Sequence, residues 1–253
     1  MKRLLPTLLL SLSASTFVFA ADFDATKAKI EEAMKSDIRT ESDRERDRNR
    51  RPIDTLEFFG LRDDMKIVEL VPGGGWYAKI LAPVVADKGH YYAALGTGRL
   101  KSNMLDKSGF EKAKIVAEDA KLWREEGAKF YSLKADSLGV EDADIVFTFR
   151  NYHNFAKEGR MVMNKIAYDA LKPGGIYAVV DHTARHMEEP GGANRRRVDP
   201  VLAIHEIQSA GFEFVEYSDL HSREDDELRY EVGAKSVTGN SDRWTFKFRK
   251  PMK

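Results

Sequence analysis

The chain has 253 residues, enough for one sizeable α/β domain with its own core. Its 41 basic and 41 acidic side chains cancel, so it lacks the positive excess that marks nucleic-acid-binding chains. With no cysteine it has no thiol nucleophile, no thiolate-bound zinc or iron–sulfur cluster, and no disulfide to form outside the cytoplasm.

Residues 1–20, MKRLLPTLLLSLSASTFVFA, read as a secretory leader: basic Lys2 and Arg3, an apolar stretch, and Val18-Phe19-Ala20 before the cut. The apolar stretch is short for a bilayer span, and the polar run from Asp22 offers no stop-transfer flank. The expectation is an exported protein, periplasmic before secreted, with no stable membrane insertion once the leader is removed. Residues 21–52 form a charged arm, opening with helical apolar spacing at Phe23, Ile30 and Met34. The stretch 36–52, SDIRTESDRERDRNRRP, reads most simply as a solvated, charge-laced helix. A sharper alternative makes it a lid, since Arg44, Asp47, Arg48 and Arg51 recur at helix-like spacing.

Residues 53–253 alternate between strand and helix patterns. A short helix at 53–59 leads to a buried strand at 65–70, which ends in the turn Val71-Pro72-Gly73-Gly74-Gly75 and restarts as a helix at 76–85. Strands are expected at 90–95, 130–134, 143–148, 176–180 and 212–217, and helices at 111–125, 161–171 and 200–210. The helix at 161–171 stops at Lys172-Pro173-Gly174-Gly175, as Pro and Gly dictate. Residues 243–249, RWTFKFR, alternate like a half-exposed edge strand. Such alternation implies a mostly parallel sheet covered on both faces, with no internal repeat to suggest a second domain. A strand, a Gly-rich turn and a helix N-terminus also make a site where a polar, anionic ligand part can reach backbone N–H groups.

VELVPGGGW, KADSL, DIVFTFRNYHN and LKPGGIYAVVDH, in that order, resemble the class I S-adenosylmethionine-dependent methyltransferases. The resemblance spans roughly residues 53–250. More narrowly, the leader, DRERDRNRRP, VPGGGWY, FRNYHN and VVDH together resemble a group of exported predicted methyltransferases. The implied fold is a doubly wound, mostly parallel seven-strand sheet of the Rossmann-like methyltransferase type, preceded by the N-terminal helical arm. The implied cofactor is S-adenosylmethionine, held by Glu69, Gly73, Gly74, Gly75 and Asn151, with Asp136 beside the adenine. Two departures stand out: Val71-Pro72 where the first glycine of the turn is usual, and Ala94-Leu95-Gly96 in place of the acid that usually holds the ribose.

The chemistry belongs outside the carboxyl ends of the strands. Arg150, Asn151, His153 and Asn154 follow one buried strand, and Asp181 and His182 end another. His153 or His182 would serve as a base toward a small-molecule acceptor, with Asp181 orienting it and Arg150 holding an anionic substrate. Arg195, Arg196 and Arg197 would join Arg150 or form a solvated run. Two other readings remain open: a non-catalytic small-molecule binder on a degenerate methyltransferase fold, and a metal-dependent hydrolase using Asp181, His182 and His186 with His153 or His205.

Overall fold

The computed structural model describes residues 15–252, with side chains described from Phe23 onward. The leader expected over residues 1–20 lies outside these residues except for Ser15–Ala20, where the backbone is already helical. The arm contains α1 (Ser15–Lys35), α2 (Glu41–Arg44) and α3 (Asp47–Arg50), and α4 (Pro52–Phe59) follows. Then come β1 (Lys66–Leu70), α5 (Ala78–Val85), β2 (His90–Ala94), α6 (Gly98–Met104), β3 (Lys114–Val116), β4 (Lys121–Trp123) and β5 (Ser132–Lys134). The chain closes with β6 (Ala143–Phe149), a 3-10 turn (Tyr152–Asn154), α7 (Lys157–Ala170), β7 (Leu171–His182), α8 (Pro200–Ser209), β8 (Glu213–Ser218) and β9 (Arg243–Arg249).

The main sheet has seven strands in the order β3-β2-β1-β6-β7-β9-β8, parallel except for β9, which runs antiparallel to both neighbours. The central strands are nearly continuous apolar runs because both faces are covered. Alternation along β1 feeds two cores: Ile67 packs with Ile30, Leu56, Phe59 and Leu81, while Val68 and Leu70 pack with Met163, Ile166 and Ile207. Glu69 therefore points to the side where α1, α4 and α5 lie.

Two expectations are corrected. Residues 111–125 are not a helix. Lys114–Val116 pairs in parallel with Tyr92–Ala94, and Lys121–Trp123 pairs antiparallel with Ser132–Lys134 in a separate two-stranded sheet. Ile115 and Val116 are β-branched and find a free sheet edge, which outweighs a weak helical spacing. Residues 243–249 form a strand as expected, but β9 is inside the sheet and mostly buried, with β8 at the edge. Among the described residues no helix is long and apolar enough to cross a membrane.

Candidate active site

β1, β2 and β6 all end on one edge of the sheet, and each is followed by a non-glycine residue in the left-handed region: Val71 (φ 53), Leu95 (φ 64) and Arg150 (φ 60). Such a backbone at a β-branched residue is costly, of order 1–3 kcal/mol. Val71 is pinned there. Its N–H donates to Ala94 O (2.8 Å) and its carbonyl accepts from Asn151 Nδ2 (2.9 Å), which also donates to Phe149 O (3.0 Å). The turn thus forms without the usual first glycine.

The three glycines that follow have different tasks. A Cβ at Gly74 would meet nothing within 4 Å, so its backbone is open to the cavity in front of it. Gly73 has φ 59 and lines the same cavity. Gly75 does not line it: with φ 81, a Cβ there would stand 2.8 Å from Leu100 Cδ1, so this glycine serves the packing of α6. The expectation that Gly75 approaches the cofactor is corrected accordingly.

The cavity measures about 330 Å³ and is bounded by Glu69, Val71–Gly74, Trp76, Tyr77, Arg99 and Phe149–Asn151. Its remaining wall comes from the arm, through Asp43, Arg46 and Arg50. The simple reading of a solvated arm is therefore overturned. Thr40 opens α2 with a capping box whose acid is Asp43. Asp43 is buried and bonds Lys79 Nζ of α5 at 2.7 Å, and its carbonyl accepts from Trp76 Nε1 at 2.9 Å. The guanidinium of Arg50 lies 4.3 Å from the centre of the Trp76 ring and that of Arg39 lies 5.2 Å away, within cation–π range. Arg39 itself is fully enclosed, donating to Asp47 Oδ1 at 2.5 Å and to Met34 O at 3.0 Å.

The electrostatics are uneven. Burial raises the Glu69 carboxyl to about 7, against a hydrogen bond from Tyr91 Oη (2.6 Å) and the nearby Arg50 charge, which favour ionisation. Burial, then Arg150, Arg46 and Arg243, pushes Arg50 down to about 8. Arg150 is lowered in the same way, first by burial and against the pull of Asp181.

Asp181, His153 and His182 are brought together, but away from this cavity. Asp181 is fully buried; it accepts from the His153 N–H (3.0 Å) and the His182 N–H (2.6 Å) and bonds His153 Nδ1 at 2.5 Å. His182 Nε2 accepts from Arg150 Nε (3.2 Å), which leaves Nδ1–H to donate to Ser241 Oγ (2.9 Å). Burial, then His153 and Arg150, pulls His182 well below its ordinary value, so it is neutral. Both of its nitrogens are occupied. The group supports Arg150 from behind.

Other expected residues disperse. Asp136 is exposed, follows β5 in the small sheet, and does not line the cavity; the third place in the main sheet belongs to β3. Arg197 is a structural residue paired with Asp226 at 2.8 Å, Arg196 binds Glu231 at 2.6 Å, and Arg195 is exposed. The imagined metal set does not assemble: His186 bonds Asp199 at 2.8 Å, and no group of three or more suitable ligands occurs among the described residues. Sequence reasoning missed Trp76, Tyr77, Arg99 and Phe149, and its lid alternative named a face of the arm other than the one that lines the cavity. The spacing 43, 46, 50 is as helical as the one chosen, but only the burial of Asp43 and Arg50 reveals which face turns inward.

No family model matches the chain, and no curated protein matches it in sequence. Solved structures do match in fold. A SAM-dependent methyltransferase from Aquifex aeolicus is 14% identical with a TM-score of 0.58, over 88% of this chain and 98% of the other. The [4+2]-cyclase SpnF is 13% identical with a TM-score of 0.55, over 81% of each chain. A putative methyltransferase from Bacillus halodurans is 17% identical with a TM-score of 0.50, over 79% of this chain and 98% of the other. The chain has the Rossmann-like methyltransferase fold.

Proposed function

We propose that this protein is an S-adenosylmethionine-dependent methyltransferase that acts on a small molecule after export. The observation that carries the reading is the convergence of Glu69, the open backbone at Gly73 and Gly74, and Asn151 on one cavity at the carboxyl edge of the central strands. The cradle suits the amino-acid end of the cofactor. Glu69 would face its ammonium, and the exposed Gly74 backbone would face its carboxylate. The cofactor supplies a methyl group already activated by a sulfonium. The protein's own work is then to position the acceptor and to keep water out. Phe149 stacks on Tyr77 with ring centres 3.6 Å apart, giving one apolar wall for that purpose. Asp181, His153 and His182 would act as positioning residues through Arg150.

Calorimetric titration with S-adenosylmethionine and S-adenosylhomocysteine tests the reading. One-site binding in the micromolar range is expected, and no binding at millimolar ligand would overturn it. The non-catalytic alternative draws support from Leu95 and Gly96, which leave the ribose position without an acid. Tight binding of both ligands, with no methyl transfer to any of a broad set of acceptors, would favour it. For export, the expected result is recovery of the protein from the periplasmic fraction with Ala21 at its N-terminus.

A further inference from the structure

Behind the first cavity lies a second, of about 240 Å³, bordered by Asn49, His182, Arg196, Thr238, Ser241 and Arg243. Arg46, Arg50 and Arg150 line both cavities. The guanidinium groups of Arg50 and Arg243 are buried and that of Arg150 is half-buried. Burial first and Arg150 next lower Arg50 to about 8 and Arg243 to about 10, Arg243 adds to the lowering of Arg50, and Arg150 is itself lowered, by burial first. A guanidinium does not relieve such crowding by losing its proton, so the relief must come from negative charge.

The fold provides only part of that charge, through the pull of Asp181 on Arg150 and Arg243, and among the described residues no carboxylate bonds Arg50, Arg150 or Arg243 directly. Asp181 is committed to His153 and His182, Glu231 to Arg196, and Asp43 to Lys79 and Arg46. Glu69 is held toward neutrality and bonds Tyr91. Arg50 Nε and Arg243 Nε are enclosed without any hydrogen-bond partner. Arg243 spends Nη1 on Asn49 O (2.7 Å) and Arg150 spends Nε on His182, while His221 holds the Arg50 carbonyl at 3.0 Å. The backbone that carries the cluster is thus anchored, while buried donors remain unpaired. Buried donors of this kind cost stability unless a ligand completes them. The carboxylate of a cofactor at the glycine turn would reach only the first cavity. Arg243, Arg196 and the hydroxyls of Thr238 and Ser241 border the second alone.

We propose that the second cavity is an oxyanion subsite, in which Arg50, Arg150 and Arg243 hold the carboxylate or phosphate group of a small acceptor. That the occupant is the methyl acceptor rests on the methyltransferase reading; that the subsite takes an oxyanion does not. Its size suits a small molecule rather than a polymer.

The test is titration of the mature protein with inorganic phosphate and with malonate in low-salt buffer, alone and with saturating S-adenosylhomocysteine. At least one probe is expected to bind saturably below millimolar concentration and to keep binding when the cofactor analogue is present. The preferred probe separates a phosphate from a carboxylate acceptor. Arg243→Gln is expected to weaken that probe by about tenfold or more, the loss typical of a charge-assisted contact, and Arg243→Lys by less. Affinity for S-adenosylhomocysteine should stay within about threefold. If Arg243→Gln does not fold, Arg196→Gln, whose side chain is partly exposed, should still weaken the probe by about threefold. The proposal is overturned if neither probe saturates, if Arg243→Gln or Arg196→Gln leaves binding unchanged, or if the analogue displaces the probe one for one. Phosphate binding without analogue binding would sink the methyltransferase reading and leave the subsite standing. Analogue binding without either anion would do the reverse.

Discussion

The Gly-rich turn and the charged arm face each other across the first cavity and are built on opposite principles. The turn, residues 71–77, offers open backbone at Gly73 and Gly74, and its shape follows from left-handed φ values at Val71, Gly73 and Gly75. The arm, residues 39–51, offers side chains held by ion pairs, with Arg39, Asp43 and Arg50 all buried. Charged groups rarely stabilise a fold by being buried, because desolvation offsets most of the pair attraction. An arm made this way therefore argues for a ligand, whereas a glycine turn taken alone argues only for a tight bend. The lesson is that the segment held by buried charge is the stronger witness to a ligand.

Three experiments would break or sharpen that contrast. Asp43→Ala should have the largest effect, about 3–5 kcal/mol in denaturant unfolding, because it strands the buried Lys79 ammonium and removes the acid of the α2 capping box. A loss below about 1 kcal/mol would show that the arm is as loose as its composition suggests.

Next, Gly74→Val and Gly75→Val should separate. The first should cost about a hundredfold in S-adenosylhomocysteine affinity with little change in melting temperature, since its Cβ enters open space. The second should destabilise the fold by about 2–3 kcal/mol through Leu100 and the left-handed backbone. Identical behaviour of the two variants would dissolve the distinction between a ligand glycine and a packing glycine.

The third effect, at Glu69, depends on pH and vanishes at pH 4. Its carboxyl is raised in the folded state to about 7, so its contribution to stability is full below the unfolded value near 4.5 and is lost as pH rises through 7. Glu69→Gln should then stabilise the ligand-free protein at pH 8, by at most about 3 kcal/mol, and leave it unchanged at pH 4. In the unmodified protein, cofactor affinity should rise about tenfold from pH 6 to pH 8, as the carboxylate ionises to meet the ammonium. A pH-independent affinity would remove Glu69 from the binding role.

Much of the fold was legible. β1, β2, β6 and the helix-KPGG-strand passage are long apolar runs bounded by strong breakers, and each lies where periodicity and resemblance put it. Glu69, Gly73, Gly74, Asn151 and Arg150 were legible as lining residues for the same reason, since strand ends are readable and sheet edges collect ligands. β3 and β4 were not. Three-residue strands carry too little pattern to outweigh a helical spacing, and their state is set by whichever edge is free to pair.

By itself, the sequence determined the fold class, the glycine turn and the absence of thiol chemistry, because these depend on local backbone freedom, periodicity and composition. Only the tertiary structure decided which face of the arm turns inward, that His153 and His182 are held behind Arg150 rather than open to the first cavity, and that Arg50, Arg150 and Arg243 crowd one pocket. These residues lie up to 193 positions apart, between Arg50 and Arg243 (243 minus 50). Charge at that separation leaves no periodic trace in a chain and acquires meaning only when packing removes the water between its members.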